Sequence, residues 1–194
     1  TGKLEPLGSV KDIQMPIGGV VKDILVNEGE RVKANQILLR LDTEADEDLR
    51  RSLEESVQLK KDQLALKQRE LNRYLALNST EQRVLNENLQ LQRELLSRYE
   101  ALAKQGASPE IQLLQPQDRI QQVTGPWEQL RVERSRQEAQ LNQQIQSLKS
   151  ELSSLGSQKT GQVVKLRYQE IRSPVDGVVF DLKPTASGFV GQGS

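Results

Sequence analysis

The sequence predicts an α+β chain: a small β-sandwich written in two halves, with a long antiparallel α-helical hairpin inserted between them. Three observations predict it. The segment PIGGVVKDI at 16–24 returns 158 residues later as PVDGVVFDL at 174–182. The residues between the copies change to Leu, Glu, Gln, Arg, Lys, Ser and Ala, mostly good helix formers. Hydrophobic residues make up 35% of the 194-residue chain and aromatics 3%, too little apolar mass for a single globule of this length with an ordinary core.

Residues 1–43 form the first β half. Short Val, Ile and Leu runs are punctuated by turn signals at Pro16, Gly18-Gly19, Asn27-Glu28-Gly29 and Ala34-Asn35. Residues 162–194 form the second half, from VVKLRYQEIRSPVDGVVFDLK into a Gly-rich end. Neither half has enough strands for a stable core, so the two must pair with each other. The repeated segments are then symmetry-related strands. The chain starts at Thr1 and stops after SGFVGQGS, and both ends are expected to be cuts in a longer chain.

Residues 44–161 form the hairpin. Thr43 is placed to cap the first helix, with Glu44 and Asp46 in the first turn, where the helix dipole favours acids. Val57, Leu64, Leu71, Asn78, Leu85, Gln92 and Tyr99 recur every seven residues, and Leu75, Leu89, Leu96 and Ala103 fill much of the companion row. Farther on, Leu141, Ile145, Leu148, Leu152 and Leu155 alternate steps of four and three, the spacing that lets two helices bury a narrow stripe against each other. The tip falls near 105–109. Gly106 can take the left-handed conformation that ends a helix, Ser108 can cap the next helix, and Pro109 suits its first turn. About sixty residues at ~1.5 Å each make an arm of roughly 90 Å. Pro116 and Gly125-Pro126 predict a kink or interruption in the returning helix, because each proline removes a donor and crowds the preceding turn. The first helix is longer than the second, so a break near Asn78-Ser79-Thr80 is a second possibility.

Several function classes are excluded or disfavoured. Lys+Arg and Asp+Glu both number 27, so no net charge draws the chain to nucleic acid or an anionic surface. With no Cys and no His, the chain lacks disulfides, thiolate nucleophiles, the commonest general base and the commonest transition-metal ligands. The carboxylates Asp46-Glu47-Asp48 and Glu54-Glu55 read as solvated helix surface. No catalytic residue, metal or cofactor is expected, and the chain reads as a non-enzyme.

The half-motif GGVVKDILVNEGERVKANQILLRLD resembles the first half of a lipoyl/biotinyl-type β-sandwich, and IRSPVDGVVFDLKPTASGFVGQGS resembles the closing half. A split lipoyl module carrying a helical hairpin resembles the bacterial membrane fusion proteins, or periplasmic adaptor subunits. The GVVFDL and SGFV wording is most similar to the haemolysin-secretion (HlyD-like) type. The resemblance implies a periplasmic scaffold linking an inner-membrane ABC transporter to a TolC-like outer-membrane channel in a tripartite efflux or type I secretion system. It implies self-association into a ring, a hexamer in the full assembly, and a full-length protein anchored in the inner membrane with a further β-barrel domain.

In that family the hairpin tip contacts the channel through an Arg, a Leu four residues later and a Ser in the turn. RYEALAKQGAS supplies Arg98, Leu102, Gly106, Ala107 and Ser108. The usual pattern has an apolar residue between the Ala and the Ser, and here Ser108 follows Ala107 directly. An Arg fork suits carbonyls at a partner's helical turn, Leu offers an apolar anchor and Ser a hydrogen bond. Other readings stay open: Arg98 as solvated surface, Leu102 closing the seam, Ser108 as a cap alone, and Trp127 as packing or interface. Asn78 and Gln92 read as register-setting or as facing neighbouring hairpins.

Two other functions compete. A swinging-arm carrier needs a modifiable Lys at the turn between the halves, and RLDT has none. A coiled-coil tether unrelated to transport predicts no pairing between 1–43 and 162–194.

Overall fold

The computed structural model describes residues 10–106, 111–183 and 188–192. Six strands and two helices follow in the order β1 (Gly19–Ile24), β2 (Arg31–Val32), β3 (Ile37–Leu41), α1 (Glu44–Lys104), α2 (Ile111–Tyr168), β4 (Glu170–Arg172), β5 (Gly177–Val178) and β6 (Phe189–Val190). The chain divides into two compact units. One joins residues 1–57 and 154–194, and the other spans 58–153.

In the first unit both ends of the chain enter both sheets. One sheet has the order β4-β3-β1-β6 and the other is β2-β5, with every pairing antiparallel. The internal repeat explains this order. In the β1–β6 ladder, Gly19 faces Val190 and Val20 faces Phe189. Shifted by the 158-residue offset, the same pairs become Gly177 with Val32 and Val178 with Arg31, the register of the β2–β5 ladder. The flanking bonds repeat too: Val21 N–H donates to the Gly188 carbonyl and Val179 N–H to the Glu30 carbonyl, both at 2.9 Å. Each copy therefore lends a strand to the other, and neither completes its ladders alone. The tether's prediction of unpaired ends fails.

The core of this unit follows the same logic. Val21 and Val190 are buried with Met15, Leu39, Leu41 and Ile171. Their equivalents Val179 and Val32 pack with Val26 and Leu38 in a second cluster. Gly19 is required where β1 crosses Leu41, because a Cβ there would stand 3.0 Å from the Leu41 Cδ1.

Asp42 and Thr43 start α1 together. The Asp42 carboxylate accepts from the Glu44 N–H at 3.1 Å, the Thr43 carbonyl takes the first helical bond from Glu47, and the Thr43 hydroxyl donates to the Glu47 carboxylate. The two helices run antiparallel within each unit. Glu54 pairs with Lys159 in the first, and Lys60 pairs with Glu151 in the second. The seven-residue row from Val57 to Tyr99 is half-buried or buried throughout.

Three expectations about the helices need correction. α1 is continuous through Asn78-Ser79-Thr80, because Asn78 is a fully buried seam residue rather than a breaker. α2 is continuous through Pro116 and Gly125-Pro126. Pro116 is itself buried, and the neighbouring Val123 fills the seam, so packing offsets the lost backbone bonds. α2 also runs on to Tyr168 through VVKLRY, which the sequence reads as the opening of the second β half. There Gln162, Leu166 and Gln169 continue the steps of four and three, and side-chain bonds to α1 hold them.

The seam departs from a strict heptad at one level. In α1 the inward positions Lys67, Leu71, Leu75 and Asn78 include two successive steps of four, and so do Gln137, Leu141, Ile145 and Leu148 in α2. Leu71 and Ile145 line one surface cleft, so the two irregularities face each other. Such four-residue insertions locally unwind a left-handed supercoil, and matching them keeps both helices in contact.

Candidate partner-binding tip and the clamp at the hairpin root

Helix α1 ends because Gly106 takes φ +77° and donates its N–H to the Ala103 carbonyl at 2.9 Å. Nothing lies within 4 Å of where its Cβ would stand, so backbone conformation, not space, selects glycine.

The residues before this turn divide between two faces. Leu96, Tyr99 and Ala103 are half-buried in the seam. Leu102 is 45% exposed, so it does not close the seam. The Arg98 side chain is 71% exposed and bonds Glu94 one turn back at 2.5 Å. An exposed pair of this kind contributes only about 0.3–0.5 kcal/mol, so the guanidinium is readily released to another acceptor. Arg98 and Leu102 thus stand one turn apart on the free side of α1, and Gly106 follows at the turn. Ala107 and Ser108 lie outside the described residues.

At the root of the hairpin the structure holds a cluster that the sequence reading misses. The Asp46 carboxylate accepts from Gln162 Nε2 at 2.9 Å, from Lys165 Nζ at 2.7 Å and from Gln169 Nε2. Gln162 also donates to the Asp46 backbone carbonyl at 2.9 Å. Gln162 and Gln169 are buried, and Asp46 is nearly so. Asp46 is therefore no solvated surface carboxylate. Burial raises its pKa, but the bonds from Lys165, Gln162 and Gln169, with the Lys165 charge, outweigh that and hold it below the ordinary value. Gln162 and Gln169 give the signal that could have found the clamp: two polar residues seven apart at inward positions, where a partner is required.

Asn78 and Gln92 occupy the seam. Asn78 donates to the Leu130 carbonyl at 3.5 Å, while its Oδ1 and the Gln92 Oε1 have no partner among the described residues. Trp127 is half-buried, with the Arg131 guanidinium 5.9 Å from its ring centroid. Among the described residues, no helix is long and apolar enough to cross a membrane, and no group of three His, Cys, Asp or Glu could hold a metal ion.

No family model and no curated protein sequence matches the chain. Solved structures do. The periplasmic adaptor protein EmrA shares the fold at a TM-score of 0.60 and 17% identity, over 94% of this chain and 68% of that one. The soluble domain of LipC, a membrane fusion protein of a type I secretion system, does so at a TM-score of 0.51 and 17% identity, over 93% and 95%. At this identity the likeness is one of fold. The fold is that of the membrane fusion, or periplasmic adaptor, proteins, as the two strand halves and the hairpin between them predict.

Proposed function

We propose that this chain is the hairpin-bearing part of a periplasmic adaptor that links an inner-membrane ABC-type exporter to an outer-membrane channel. The observation that carries the reading is the combination of a strand-swapped β unit with one long helical hairpin, a fold shared with EmrA and LipC over more than nine-tenths of the chain. In this reading the β unit is a split lipoyl-type sandwich, with halves at 1–43 and 162–194, and the hairpin spans 44–161. The β units collect in a ring, a hexamer in the full assembly. The chain works in the periplasm, and the full-length protein is held at the inner membrane. It acts as a scaffold without catalysis.

Channel docking falls to the tip. Arg98 offers a fork of donors to carbonyls at a partner's helical turn, and Leu102 supplies an apolar anchor one turn on. Gly106 sets the turn, and Ala107 and Ser108 complete the contact. The exposure of Arg98 and Leu102 supports this role.

The test is photo-crosslinking in cells from positions 98, 102 and 108. Capture of an outer-membrane channel protein at these positions, and not at exposed Glu55, is the expected result. Capture of other copies of this chain alone, with no channel, overturns tip docking. A swinging-arm carrier is tested by intact mass. β3 passes into α1 through Asp42 and Thr43 with no lysine at that junction, so no lipoyl or biotinyl addition is expected.

A further inference from the structure

Helix α1 carries a second apolar line on the side away from its seam. Leu59, Leu66, Leu77, Val84, Leu91 and Leu102 are each 45–63% exposed. Isolated exposed leucines are ordinary, but these are aligned. Their steps are seven or eleven residues, each within about 20° of whole helical turns, so all six stand within an arc of about 40°. The arc is turned roughly 120° from the seam along most of its length, so α2 cannot cover it. It runs about 65 Å at 1.5 Å per residue.

A small globular partner would cover only part of such a line. Another long rod would cover all of it, and this chain supplies two candidates. α2 has no matching line: its exposed large apolar residues are Leu114, Val132 and Val163, too few and too scattered. The element with an equal line is α1 itself, and a two-fold contact requires the same patch on both partners.

Charge selects the direction. The gap between Leu66 and Leu77 holds Glu70 and Arg73 on the same side of the helix. In a parallel, in-register pair each Glu70 lies beside the other copy's Arg73, giving two equivalent opposite-charge pairs, and every apolar residue meets its own counterpart. An antiparallel pair that matches Leu59 with Leu102 and Leu77 with Val84 sets Glu70 against Leu91.

We infer that two copies of this chain pair side by side, α1 against α1 and parallel, through the line from Leu59 to Leu102. This contact is a property of α1 alone and does not rest on the adaptor reading.

The chain contains no cysteine, so introduced thiols report without background. Leu66→Cys and Leu102→Cys, made singly in the whole chain, are expected to form disulfide-linked dimers under mild oxidation, at least tenfold faster than Gln90→Cys on another face. Leu77→Glu and Val84→Glu are expected to weaken dimerisation at least tenfold by analytical ultracentrifugation. Their circular dichroism should be unchanged, because both sites are exposed. A monomer at about 100 µM, or dimerisation unaffected by the Glu variants, overturns the inference. Crosslinking between Leu59→Cys and Leu102→Cys chains, with neither linking to itself, overturns the parallel arrangement.

Discussion

Gln169 donates its side-chain amide to the carboxylate of Asp46, 123 residues earlier in the chain. The contact joins the first turn of α1 to the residue after α2 at the mouth of the β unit. Asp46→Ala should therefore leave the buried Gln162 and Gln169 amides and the Lys165 ammonium without their acceptor. An expected loss of about 1–3 kcal/mol follows, read from urea unfolding. Glu55→Ala, one turn from the nearest clamp contact and exposed, should change stability by less than about 0.5 kcal/mol.

The same clamp sets an acid limit. The folded Asp46 pKa lies below its unfolded value, so its contribution is present above the unfolded pKa, near pH 4, and lost as pH falls through the lower folded pKa. The urea midpoint should hold steady from about pH 7 to pH 5 and then fall. In Asp46→Asn that fall should be shallower. Glu54, held below its ordinary pKa despite partial desolvation by Arg50 and Lys159, and Glu151, held low by Lys60, give the residual slope.

Asn78 should behave oppositely to Asp46. Its Oδ1 is buried without a partner and its amide makes one long bond. Asn78→Leu should raise stability by about 0.5–2 kcal/mol, measured by thermal unfolding. A buried polar seam residue fixes pairing register at a cost in stability. The variant should therefore also admit shifted pairings, visible as extra conformers in interhelix distance distributions.

One substitution should have opposite signs at two glycines. Gly106→Ala forces a side chain into φ +77° and should cost about 1 kcal/mol. Gly161→Ala lies in the exposed interior of α2 with nothing near its Cβ, and should gain about 0.5–1 kcal/mol. Thermal melts of the two variants make the comparison.

The parts of the fold legible in the sequence were those with a local physical signature. The GVV repeat forecast two related strands, and they are related down to the ladder register. Gly106 forecast the end of α1, because few other residues take that φ. What escaped was set by contacts distant in sequence. VVKLRY carries β-branched residues and reads as strand, yet Gln162, Lys165 and Gln169 are bound to Asp46 more than a hundred residues away. Pro116 and Pro126 looked like breaks because local chemistry cannot weigh the packing that carries α2 past them. At the tip, spacing identified Arg98 and Leu102, but only the structure separates the exposed Leu102 from the seam-filling Ala103.

The swapped pairing of the two repeat copies underlies the whole account, and one engineered bond tests it. Val20 and Phe189 face each other with the Val21-to-Gly188 bond beside them, the narrow kind of antiparallel pair. Such pairs hold their Cα atoms about 4.5 Å apart, within disulfide reach. The double variant Val20→Cys/Phe189→Cys should close an intramolecular disulfide on air oxidation, seen as a loss of two protons' mass and faster non-reducing migration, with helical circular dichroism retained. Thiols that stay free, or that link only between molecules, would mean that the two ends do not share a ladder.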